Sequence, residues 1–165
     1  MNKVAIKKQQ VIQQVTQYLI ENGLSDMGLR KLAAVADTSD RMLIYYFGTK
    51  DELMEQVLHS IASGFTAQLD AILGQHQRQA DTLIGELLIL SDSREFSPFI
   101  RLWFEVVGFA ARGRSPYAKN ATAIATNWLA WIESRLENPR PNQAIAVLAE
   151  VEGKLMLKLL GLAVT

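Results

Sequence analysis

Cysteine is absent from the 165-residue sequence, which excludes disulfides and thiolate metal sites. Histidine is nearly absent too. His59 and His76 stand far apart and outside any His-Glu-x-x-His pattern, so a zinc site would rest mostly on carboxylates, and no metal or cofactor is expected. No window offers the roughly 18 uninterrupted apolar residues of a membrane span. The opening MNKVAIKKQQVIQQ places charge and glutamine where a secretory signal needs an apolar run, so a cytoplasmic protein without membrane contact is expected. An excess of either charge is missing as well: 17 basic residues balance 17 acidic ones. No nucleophile-base pair or glycine-rich phosphate loop suggests an enzyme.

Hydrophobic residues at 49% and charged residues at 21% are enough for a packed core and argue against disorder. The spacing is helical almost throughout, and strand-like alternation is nowhere sustained, so the expected fold is all-α. Val4, Val11, Val15, Tyr18, Leu19 and Leu24 mark one face of a first helix that stops at Asn22-Gly23. A short helix over about 28–36 follows, then a break at Asp37-Thr38-Ser39 and a third short helix to Phe47. Thr49-Lys50-Asp51-Glu52 has the form of a capping box, which starts a helix over 50–73 with an apolar stripe from Leu53 to Ile72. Further helices are expected over 79–91, 97–112, 116–137 and 142–162, with all four prolines at the junctions. The division is into residues 1–49 and 50–165, the helix over 50–73 connecting the two.

Two short helices joined by a tight turn and docked on a longer one form a helix-turn-helix unit. Such a unit needs a protruding helix for a major groove about 12 Å wide, held at its angle by a small core. In TSDRMLIYYFGTKDEL, Phe47 suits the inward anchor, and Tyr45 and Tyr46 can carry hydroxyls to phosphates from apolar bodies; the same aromatics also suit a packed helix terminus. The first 50 residues hold seven basic and four acidic residues, a mild basic bias compatible with nucleic acid.

Leu32-Ala33, Ala36, Ser39, Leu43, Tyr45, Tyr46, Phe47 and Thr49 to Leu53, with their spacing, resemble the TetR-like transcriptional regulators over residues 4 to about 60. The resemblance implies that Ser39, Asp40, Arg41 and Met42 open a recognition helix toward base edges of a double-stranded operator. Tyr45 and Tyr46 would lie at its far end, on backbone or flanking bases, and Lys50 on a phosphate, with Lys7 and Lys8 as weaker candidates. Arg41 suits bidentate binding to guanine O6 and N7, while Asp40 suits either cytosine N4 or the helix N-terminus, positioning Arg41. Three departures from the pattern stand out: Asp37 where glycine is frequent, Ile44 where tyrosine is frequent, and Met27-Gly28 where hydroxyl residues open the second helix. Ile44 is expected to pack.

Phe99, Trp103, Phe104, Phe109, Trp128 and Trp131 suit either a helical core or, as in family members, a cavity for a small apolar or aromatic effector. Arg101 and Glu105 suit polar contacts to that effector or a surface pair. The last helix is apolar around much of its circumference and calls for a covering partner. Leu148, Val151, Leu155, Leu159 and Leu162, with segment 118–137, suit a homodimeric four-helix bundle; the alternative is a helix buried within a monomer. The functional expectation is a ligand-responsive regulator, more readily a repressor, on a pseudo-palindromic operator. Its rival is a protein-interaction module that uses the helix-turn-helix only as scaffold.

Overall fold

The computed structural model describes residues 2–24 and 27–164; Asp26, counted above among the N-terminal acids, lies outside them. Eight helices run in order among these residues: α1 Lys3–Asn22, α2 Leu29–Val35, α3 Asp40–Phe47, α4 Lys50–Leu73, α5 Ala80–Ser91, α6 Ser97–Ala111, α7 Tyr117–Arg135 and α8 Gln143–Leu159. The bounds follow from local chemistry. Gly23, Gly48 and Gly74, all at positive φ, stop α1, α3 and α4, and their amides bond back to the final turns. Thr49 caps α4 through both halves of the expected pairing: its hydroxyl accepts from the Glu52 amide at 3.1 Å and donates to the Glu52 carboxylate at 2.9 Å. Pro98 falls in the first turn of α6, where its missing amide is tolerated. Gly28 opens α2 without a side-chain cap, as expected from the loss of a hydroxyl there.

Val11, Val15 and Leu19 of α1 meet Leu32, Leu43, Phe47, Leu53 and Val57 in the N-terminal core. The same core continues into Leu102, Trp103 and Val106 of α6, so the N-terminal helices are welded to the larger half. A second core joins α5, α7 and α8 around Leu83, Ile132, Leu136 and Val147. Ile72, expected on the α4 stripe, is 51% exposed, while Leu69 and Leu73, one turn apart, take the covered side of the helix end.

Buried charge fixes the loop ends. Arg78, 5% exposed, pairs with Glu86 and donates to the Leu73 carbonyl at 2.8 Å, while its backbone bridges to Arg135 and Glu137. Arg135 is also buried and donates to Asp70, whose carboxylate accepts from Trp131 Nε1 at 2.8 Å. The Trp131 bond, with the Arg135 guanidinium, holds the Asp70 carboxyl below its ordinary value against the opposing effect of burial.

Candidate DNA-binding face and effector cavity

Leu43 and Phe47 turn inward and fix the rotation of α3. That choice sends Arg41 and Tyr45, one turn apart, to the opposite side, with Tyr45 67% exposed. Ser39 starts the helix by accepting from the Met42 amide at 3.3 Å, so its hydroxyl is engaged at the N-terminus. Asp40 lies within 3.9 Å of Arg30 on α2, an exposed pair that ties the two short helices and leaves the Arg41 guanidinium clear. Tyr46 is half-buried, its ring edge-on to Tyr45 and Phe47. Lys50, half-buried, is the first residue of α4, beside the amides of its first turn. Lys8 sits with its ammonium 5.2 Å from the Phe47 ring centroid.

One expectation about this face needs correction. Ile44 is 43% exposed and not a packing residue, because the inward positions of so short a helix are already taken by Leu43 and Phe47. Asp40 stands in the first turn of α3, as expected for a carboxylate that favours a helix N-terminus, with Arg30 3.9 Å away. Asp37 occupies the left-handed region at φ 45°, the conformation expected for its place in the turn.

In the larger half, α4 to α8 line a partly open cavity of about 100 Å³. Phe99, Trp103, Trp128 and Trp131 line it, as does Phe65, whose ring centroid lies 5.6 Å from those of Phe99 and Trp128. The remaining candidates lie elsewhere. Arg101 points to solvent, Phe104 packs between cores, and Phe109 stacks on Tyr117 at 5.0 Å. Glu105 accepts from the Leu24 amide at the end of α1, so it bonds neither Arg101 nor the cavity wall. The residue that sequence reasoning missed is Glu152. It lines the cavity, and its Oε1 accepts from Trp103 Nε1 at 3.0 Å. Burial raises its pKa above the ordinary glutamate value, partly offset by the Trp103 bond. The signal available was that Glu152 is one of two glutamates, with Glu150, in the apolar run of α8.

Of the expected dimer contacts, Leu148, Val151 and Leu155 on α8 line the chain's own cavity, whereas Leu159 at its end and Leu162 beyond it are exposed. Helical spacing cannot say which arc of a nearly all-apolar helix meets its own chain. The outward arc carries Ile145, Met156 and Leu160, exposed by 54%, 46% and 69%.

The family model described as bacterial regulatory proteins, tetR family, matches residues 16–57. No curated protein matches the chain. Among solved structures, the multidrug binding protein EbrR complexed with proflavin is 23% identical, with 94% of this chain and 89% of that chain covered and a TM-score of 0.71. A member of the TetR family from Streptomyces coelicolor A3 is 23% identical over 94% of this chain and 88% of that chain, with a TM-score of 0.68. A transcriptional regulator from Rhodococcus sp. Rha1 is 22% identical over 93% and 83%, with a TM-score of 0.64. Residues 16–57, which span the two short helices α2 and α3, are therefore similar to the bacterial tetR-family regulatory proteins, and the chain shares its all-α fold with solved structures that include a TetR-family member.

Proposed function

We propose that this protein is a cytoplasmic transcriptional repressor that binds a pseudo-palindromic operator as a homodimer and releases it when a small apolar or aromatic effector occupies the cavity. The observation that carries the reading is the rotation of α3: Leu43 and Phe47 are buried, while Arg41 and Tyr45 project from the matched helix-turn-helix. Ser39, Asp40 and Met42 flank Arg41 at the groove-facing end; Tyr45, Tyr46 and Lys50 serve backbone contacts. Dimerisation through Ile145, Met156 and Leu160 would cover the apolar arc of α8 and pair the two recognition helices. The effector acts by favouring a dimer whose recognition helices no longer match the half-site spacing.

Selection of bound DNA from a random pool tests this directly. The expected product is a two-fold site with a guanine in each half-site, and Arg41→Ala weakens binding about 5- to 150-fold while relaxing choice at that base. Recovery of no enriched sequence, or an unchanged site with Arg41→Ala, would overturn it. The exposed pair Ile44 and Tyr45 keeps the protein-interaction reading in view. Lys50→Ala separates the two: loss of a phosphate contact lowers the slope of affinity on salt by about one.

A further inference from the structure

Resting on that effector reading, we infer that the cavity takes a small organic monocation: an ammonium group on a single aromatic ring or similarly compact apolar body, held by the Glu152 carboxylate. Every other residue of the wall is apolar except Ser91, so Glu152 is its one ionisable group among the described residues. Only one carboxylate oxygen is engaged, by Trp103, and no hydrogen bond or ion pair is described for the other. The lysines nearest in the helix are committed elsewhere: Lys154 to Glu150 at 3.0 Å and Lys158 to Asp92 at 2.7 Å.

A carboxylate in an apolar wall is costly to ionise unless a cation arrives with its own charge. An anionic effector meets only repulsion there, and a hydrocarbon leaves the carboxylate uncompensated. The indoles of Trp103 and Trp128, edge-on with centroids 4.6 Å apart, form an aromatic corner on the same cavity, a surface that attracts a cation and its ring alike. Size limits the body. At about 100 Å³ the cavity is smaller than an apolar cavity of roughly 150 Å³ that holds one benzene. A body of about one ring therefore suits the covered part of the cavity.

Three probes of one shape and different charge test the assignment on the full chain: benzylammonium, benzyl alcohol and benzoate, titrated at neutral pH by calorimetry and by tryptophan fluorescence. All three tryptophans line the cavity, so fluorescence reports its occupation. The expected order is cation, then neutral, then anion, with the cation favoured over the alcohol by about 10- to 100-fold, as for one charge-assisted hydrogen bond. Glu152→Gln keeps an acceptor for Trp103 but erases the preference, moving benzyl alcohol by less than about twofold. Glu152→Asp keeps the preference, and the alcohol titration reports whether each variant retains the cavity. Equal binding of cation and alcohol to wild type, or an undiminished preference in Glu152→Gln, would overturn the charge assignment alone. Failure of all three probes to bind would overturn the effector reading and this inference with it.

Discussion

Glu105 joins the two halves of the molecule, and removing its carboxylate tests whether that joint holds weight. Its side chain is half-buried and accepts from the amide of Leu24, a residue only 8% exposed at the C-terminus of α1. Gly23 makes the approach possible: at φ 78° it turns the chain, and a Cβ there would lie 2.7 Å from Glu105 Oε1. Glu105→Ala leaves a buried amide without its acceptor, so a loss of about 1.5 to 3 kcal/mol is expected. For a chain of this size that corresponds to a melting temperature lower by roughly 3 to 12 °C. Glu105→Gln, which retains a neutral acceptor, should fall between wild type and Ala. The same helix presents Trp103 to the cavity two residues earlier, so the variant should also bind effector normally while transmitting less of it to operator affinity. Thermal unfolding by circular dichroism, followed by operator titration with and without effector, reads both. A melting temperature within 1 °C of wild type for Glu105→Ala would refute the reasoning.

Two further substitutions address stability. Asp70→Asn removes the counter-ion of buried Arg135 and should cost about 1 to 3 kcal/mol by urea unfolding near neutral pH. Because the folded Asp70 pKa lies below 3.8, its contribution is fully present above that value and is lost as pH falls through the lowered folded value. The gap between wild type and variant should therefore close in strong acid; a gap that widens there would contradict the pairing. Asp37→Gly relieves a left-handed aspartate at φ 45° and should stabilise by about 0.5 to 1 kcal/mol in the same assay.

The helical frame was legible because its stops are local. Gly23, Gly48 and the Thr49-Glu52 cap act within one turn of the chain, and the spacing of Val11, Val15 and Leu19 reports a face without naming its partner. The rotation of α3 follows in the same way: burial of Leu43 and Phe47 dictates which side chains remain outside. Ile44 escaped because apolar character predicts burial only where a wall exists to receive it, and α3 has just eight residues and one packed side.

What stayed hidden depends on partners distant in sequence. Glu105 has Arg101 as a plausible neighbour four residues away, yet its acceptor role is set by an amide 81 residues away. Glu152 and the outward arc of α8 pose one problem from two sides. Along an apolar helix the arcs facing core, cavity and solvent differ in what other helices leave open, and not in their own composition. In α8 the core takes Val147, the cavity takes Val151, Leu155 and Glu152, and solvent receives Ile145 and Met156, with Leu160 just past the helix end. A glutamate between the inner and outer arcs can satisfy its charge in water as well as in a pocket, so composition alone favours the surface. Its bond to Trp103, 49 residues away, ties it to the cavity wall, which is why the proposed charge preference could be formulated only from the folded chain.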